Sequence, residues 1–248
     1  MKVLVCISHV PDTTSKINFK NDNTEFDKDG LSFVINPNDE FGLTKAMFLK
    51  EQNGAEVTVV NVGDASTEPT LRKALAIGAD KAVRVNAEPT DSFMVASQLA
   101  EVAKSGNYDL IICGTESIDY NGNQVHGMLA AMLELPFVYS CVGMEVDGST
   151  AKMTREIDGG KEIVEAEFPL VIAGKKGLVE EKDLRIPNMR GIMMARSKPL
   201  EVIEPTGATA HTVHESYEKP APRGDVKMFD AEDVESLVQA LHNEAKVI

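Results

Sequence analysis

The sequence predicts an α/β protein: a parallel, twisted, Rossmann-like sheet with helices on both faces, followed by C-terminal hairpins and an extended arm. Three observations predict it. Short strand-like segments recur at residues 3–7, 56–62, 82–85 and 110–113, and the last is a continuous apolar run, the pattern of a strand buried on both faces. Segments with apolar residues at helical spacing alternate with them, as at Val95, Leu99 and Val102. This alternation fills the first 135 residues, and it calls for parallel strands joined by crossover helices.

Val3-Leu4-Val5-Cys6-Ile7 is the first strand. Pro11 then biases Val10 out of the helical region and turns the chain away. His9 has no nucleophile or metal-ligand partner near it in sequence and reads as a loop residue. Residues 20–30 are polar and turn-rich, a surface excursion, and residues 31–35 are short and strand-like. Asn36-Pro37-Asn38 stops that strand. Asp39 is the expected cap of a helix to about Gln52, with Leu43, Ala46, Met47 and Lys50 along its inner stripe. After the strand at 56–62, Gly63-Asp64 turns toward a helix opened by Thr67 and Pro69 and stopped by Gly78. Residues 82–85 form the next strand, and Asp91 caps the helix that carries Leu99.

The fourth apolar run leads into a polar loop, Gly114-Thr-Glu-Ser-Ile-Asp-Tyr-Asn-Gly-Asn-Gln. Val125, Met128, Leu129 and Met132 then recur along one helical face. A strand, a glycine-bearing loop and a helix N-terminus point free N–H groups and a partial positive charge above the sheet, which favours a phosphate. Asp119, Asn121, Asn123 and Gln124 add donors and acceptors for a ribose or a base edge. The glycine spacing matches neither common phosphate-loop fingerprint, and a polar loop that merely caps its helix accounts for the same residues. In parallel sheets ligands sit outside the carboxyl ends of the strands. Residues 6–8, 62–64 and 114–123 all fall at that edge.

From Leu135-Pro136 the pattern changes. Residues 137–144, 152–157, 162–168 and 170–173 are strand-like, with Asp158-Gly159-Gly160 as a tight hairpin connection. Residues 175–198 are apolar without a sustained period, and they suit either adaptable recognition or a core-packing connection. Residues 205–225 read as an extended arm, and residues 231–243 as a last amphipathic helix that docks on a second subunit. The expected division is a nucleotide-binding domain over residues 1–203 and an arm over 204–248.

A net charge of −14 argues against nucleic acid or an anionic membrane as partner. No apolar run approaches the ~20 residues of a bilayer span. The start lacks a cleavage site or transit-peptide character. Cys6, Cys113 and Cys141 lie in apolar strands, as reduced core thiols do. The expected compartment is the cytoplasm. No catalytic triad, Cys/His grouping or metal-ligand spacing stands out.

Three ordered motifs carry a resemblance that runs nearly end to end. Gly114 through Gly127 resembles the adenine-nucleotide loop of the electron transfer flavoprotein β subunit. Asn36-Pro37-Asn38-Asp39-Glu40 resembles its Asn-Pro…Glu segment. Residues 158–169 with Gly191-Ile192-Met193-Met194-Ala195-Arg196 resemble its hairpin and partner-recognition loop. The resemblance implies an electron carrier, not an enzyme. It implies a heterodimer with an α subunit that holds the redox FAD, and AMP bound structurally in this chain. Electrons would pass between dehydrogenases and an acceptor such as a quinone oxidoreductase. It assigns the nucleotide to Asn36, Pro37, Asn38 and Asp39, and the sheet edge adds Cys6, Ser8 and Val62. From the loop and helix start it adds Glu116, Ser117, Ile118, Asp119, Tyr120, Asn121, Gly122, Asn123, Gln124, Val125, His126 and Gly127. Met189, Ile192 and Met193 are the expected partner contacts. Met189 falls where the family presents an apolar knob, with Met193 and Met194 expected to turn inward.

Some members hold a second FAD here and bifurcate electrons, with an Asp-Gly-Asp-Thr type of sequence. This chain has Asp119-Tyr120-Asn121-Gly122, closer to the AMP type, although Val125-His126 departs from the usual Thr-Gly. Thr13 and Asn38 stand where the family often places aromatics against the α-subunit flavin. Two other classes share similar folds. Adenylating or ATP-hydrolysing enzymes need a Ser-Gly-Gly-x-Asp-Ser loop or a His-x-x-His helix start, and neither is present. Small nucleotide-binding stress proteins need no hairpins or arm after residue 135.

Overall fold

One nine-stranded sheet organises the chain in a computed structural model that describes residues 1–248. Its first half is the expected alternation: β1 (Lys2–Cys6), β2 (His9–Pro11), β3 (Phe19–Lys20), β4 (Glu25–Phe26), β5 (Phe33–Ile35), α1 (Pro37–Asn53), β6 (Glu56–Val62), α2 (Glu68–Ile77), β7 (Lys81–Val85), α3 (Ser92–Gly106), β8 (Leu110–Gly114) and α4 (Val125–Leu133). The second half holds β9 (Phe137–Asp147), β10 (Thr150–Ile157), β11 (Gly160–Glu167), β12 (Leu170–Gly174), α5 (Met189–Ala195), β13 (Leu200–Ile203) and α6 (Val234–Gln239).

Across the sheet the order is β11-β10-β9-β12-β8-β1-β6-β7-β13. Every neighbouring pair from β9 to β13 is parallel, and β9, β10 and β11 continue the edge as an antiparallel meander. Consecutive strand residues feed opposite faces, because side chains alternate along a strand. Val3, Val5, Val57, Val59 and Ile112 join Leu43, Met47 and Leu71 beneath α1 and α2. Leu4, Val60, Val83 and Ile111 join Leu99 and Leu129 on the side of α3 and α4. This is why the central strands are mostly apolar on both faces and do not alternate.

Several expectations are corrected. Asp39 does not cap α1. Pro37 starts the helix earlier, Asn36 takes the N-cap position without a side-chain cap bond, and Asp39 is buried inside the first turn. His9 is not in a loop: β2 pairs antiparallel with β5, and the His9 ring stacks on Phe33 with centroids 4.3 Å apart. The excursion at 20–30 closes as a small hairpin of β3 and β4. The C-terminal hairpins join the same sheet, with β12 inserted between β8 and β9. Of the predicted α4 stripe only Leu129 is fully buried, with Met128 and Met132 partly buried. β13 has no counterpart among the expected strands. It closes the far edge beside β7. The last helix is shorter than expected and runs on into a π-helical turn at Ala240–Ala245. The cap at Asp91 is as expected, its side chain accepting from the Met94 N–H at 2.8 Å.

Candidate functional site

The carboxyl ends of β1, β6 and β8 meet the first turn of α1. Asp39 reaches across this junction. One carboxylate oxygen accepts from the Ser8 N–H at 2.7 Å, and the other from the Gly114 N–H at 2.9 Å. Burial raises its carboxyl to about 7, against hydrogen bonds from Ser8, Asn36 and Gly114 that favour the ionised form. Gly114 must be glycine here, because a Cβ would strike the Asp39 carboxylate and lie 2.9 Å from the Asn38 Cβ.

Asn36, fully buried, donates to the Glu116 carbonyl at 2.8 Å and accepts from the Ile118 N–H at 3.3 Å. Asn38 donates to the same Glu116 carbonyl at 3.2 Å. The Asn36-Pro37-Asn38-Asp39 segment thus staples the start of the loop to the sheet edge. Beyond that staple the loop folds on itself. The Ser117 N–H donates to the Gly122 carbonyl at 3.1 Å, Asn121 turns the chain with φ +48°, and the Ser117 hydroxyl donates to Asp119. Asp119 also accepts from the Tyr120 N–H at 2.9 Å. Tyr120, Asn121, Asn123 and Gln124 face outward, and Asn123 donates to the Tyr139 hydroxyl on β9 at 3.0 Å.

The loop does not cap its helix. Gln124 takes the N-cap position of α4 and makes no side-chain cap bond. The leading N–H groups of α4 carry the positive end of the helix dipole toward the loop. Val125, His126 and Gly127 form that first turn. His126 is buried, with Nε2 2.9 Å from the Thr115 carbonyl and Nδ1 without a partner. A carbonyl can only accept, so Nε2 carries the proton and Nδ1 of the neutral ring is a bare acceptor. Burial holds the ring below its ordinary pKa, opposed by the Thr115 carbonyl. Its faces are lined by Phe137 and Tyr139, with centroids 5.2 and 5.5 Å away.

Cys6 and Val62 are buried at their strand ends below this surface. The parallel register that sets Val5 opposite Ile112 brings Cys6 to Cys113, and all three cysteines are free thiols. The hydrogen bond to Cys113 and burial raise the Cys6 thiol well above its ordinary value, so it stays protonated. The structure therefore brings residues 6–8, 36–39, 62–64 and 114–127 to one edge. Asn61 and Arg84 belong to the same junction and are absent from the sequence-derived set. Buried Asn61 donates to the Ile7 carbonyl at 2.9 Å, and buried Arg84 to the Gly63 carbonyl at 3.0 Å. Their signal in the sequence is a polar residue interrupting an otherwise apolar strand run.

Met189, Ile192 and Met193 lie apart from this edge, on α5, which packs against α2. Asn188 caps α5 by accepting from the Gly191 N–H at 2.8 Å, and a side chain at Gly191 would strike the Ala76 carbonyl. Arg72 holds the end of the helix through the Ala195 and Lys198 carbonyls. Met189 is 76% exposed and Met193 69%. Met193 and Met194 do not turn inward. Ala195 is the buried residue of α5.

Fold and site together define a doubly wound α/β protein with a strand–loop–helix site at the carboxyl edge of its sheet. The electron transfer flavoprotein domain profile matches residues 24–208, and the chain belongs to that family, as a β subunit. It is 32% identical to the electron transfer flavoprotein subunit beta of Bacillus subtilis, over all of both chains. It is 35% identical to that of Bradyrhizobium diazoefficiens, again over all of both chains. The human subunit beta is 35% identical over 83% of this chain and 82% of its own. These proteins are electron carriers rather than enzymes. No helix is long and apolar enough to cross a membrane.

Proposed function

We propose that this chain pairs with an electron transfer flavoprotein α subunit that carries the redox FAD, and itself binds AMP as a structural ligand. The observation that carries the reading is the α4 N-terminus, uncapped by Gln124 and fronted by a loop stapled through Asn36, Asn38 and Asp39. A phosphate suits those N–H groups, and the outward Asn121 and Gln124 suit a ribose or a base edge. The Nδ1 acceptor of His126 sits unpartnered in the same turn, polar capacity that a capping role leaves unexplained.

In this reading AMP contributes binding energy and no electrons. The chain shapes one wall of the flavin site in the α subunit, and α5 presents Met189, Ile192 and Met193 to dehydrogenases. The complex shuttles electrons from dehydrogenases to an acceptor such as a quinone oxidoreductase, in the cytoplasm. Denaturing extraction of the purified α/β complex, with its nucleotides identified and counted, tests the assignment. One AMP and one FAD per heterodimer is the expected result. Two FAD and no AMP would place a second flavin in this site, as in the bifurcating members. The chain expressed alone should show no flavin absorbance.

A further inference from the structure

The first part of the C-terminal arm is fastened at both ends, and between those ends it passes the nucleotide loop. Near α3, Gln98 accepts from the Thr206 N–H at 2.8 Å, and Asp91 accepts from the N–H groups of His211 and Thr212 at 2.6 and 2.9 Å. The His211 ring stacks on Phe93, centroids 3.9 Å apart. At the other end the Tyr217 N–H donates to the Asn23 carbonyl at 2.7 Å, and Lys219 donates to Asn18 at 2.8 Å. Between these fastenings four rings follow one another. Tyr120 lies 5.1 Å from His214, His214 lies 5.6 Å from Tyr217, and Tyr217 lies 4.9 Å from Phe19. Such separations are those of interacting aromatic pairs. Partial burial and the adjacent Tyr217 hydroxyl raise the Tyr120 phenol above its ordinary pKa.

Asp91 thus has two tasks, capping α3 and holding the arm. The loop is stapled to the sheet edge at its start by Asn36 and Asn38 and at its far end to β9 by Asn123, whereas its tip at Tyr120 meets the arm.

We propose that residues 206–219 are a strap that closes the nucleotide loop, with His214 and Tyr217 as positioning residues acting through Tyr120, so that nucleotide release requires the strap to lift. This rests on the nucleotide reading above. The same arm continues into the largely exposed residues 220–248 that are expected to meet the α subunit. Subunit docking and nucleotide retention are therefore coupled through one segment.

The test uses the whole α/β complex loaded with radiolabelled AMP and chased with excess unlabelled AMP. His214→Ala/Tyr217→Ala should release label at least tenfold faster than the unaltered complex. His214→Phe/Tyr217→Phe, which keeps both rings, should release it within about threefold. A double alanine variant that releases label within twofold of the unaltered complex overturns the strap, as does equally fast release from both variants. Hydrogen exchange of the loop amides at 118–124 gives a second readout that needs no nucleotide. Faster exchange in the alanine variant supports the strap, and unchanged exchange overturns it. A complex that holds no AMP on extraction, yet shows faster loop exchange in the variant, refutes the nucleotide reading and leaves the strap standing.

Discussion

The Asp39 carboxylate and the α-carbon of Gly114 share a space that admits no further atom. Asp39 holds the Gly114 N–H at 2.9 Å, and a methyl group at residue 114 would strike the same carboxylate oxygen. Residue 114 ends β8 and begins the loop, so this contact fixes where the sheet stops and the site starts. Gly114→Ala should destabilise the protein by about 2 kcal/mol, the usual cost of forcing extra volume into a packed site. For a chain of this size that lowers Tm by about 4–8 °C. A thermal melt with unchanged Tm would show that α1 moves aside freely.

Asp39 also gives a pH signature. Its folded carboxyl, raised to about 7, keeps a proton that the unfolded side chain, near 3.9, has released. The native state binds more protons across that interval, so this stabilising contribution is complete below about pH 4 and lost as pH rises through about 7. It amounts to a few kcal/mol in order of magnitude. Asp39→Asn removes the titration. The Tm of the unaltered protein minus that of the variant should therefore fall between pH 5 and pH 8. Parallel profiles would rule this out.

Asp119 and Asn123 hold the loop in different ways, one inside the turn and one to Tyr139. Asp119→Ala or Asn123→Ala should lower AMP retention roughly tenfold, as a lost polar partner costs ~1–3 kcal/mol. Complex stability should fall with it, because bound ligand adds to stability by mass action. The redox chemistry of the flavin should be largely intact. Equal AMP content in both variants, measured after gel filtration, would reduce the loop to a structural turn.

Met189 is 76% exposed and belongs to neither buried cluster. An apolar anchor in a partner pocket contributes ~2 kcal/mol or more, and ~1.4 kcal/mol is a factor of ten. Met189→Ala should therefore slow electron transfer with a partner dehydrogenase at least tenfold by stopped-flow absorbance. Tm and nucleotide content should stay the same. Normal transfer rates with reduced Tm would assign α5 to the core.

Much of this was legible in the sequence, for identifiable reasons. Strands buried on both faces leave mostly apolar runs, unbroken in β1 and β8 and broken by single polar residues in β6 and β7. The Asp91 cap has a local signature that no distant contact overrides. Asp39 carries the same local signature, and there distant contacts win, because the Ser8 and Gly114 N–H groups are 31 and 75 residues away. β13 is four residues long and alternates only weakly, so only its pairing with β7 defines it. The rings of Tyr120, His214 and Tyr217 are ordinary surface residues until the fold brings the arm across the loop. Asn61 and Arg84 are not legible as site residues, because one polar residue in an apolar strand resembles an edge position, and neither lies at an edge.

The place of β12 in the sheet has a consequence for synthesis. β8 is complete at Gly114, but its neighbour on one side is β12, at Leu170–Gly174. A chain emerging from the ribosome therefore carries β8 with one edge unpaired until those residues appear, and β9 waits for the same strand. Bare apolar edges invite pairing with other chains. A ribosome that stalls before residue 170 leaves a sheet split in two, so the hazardous interval in the life of this molecule comes before its last third is made.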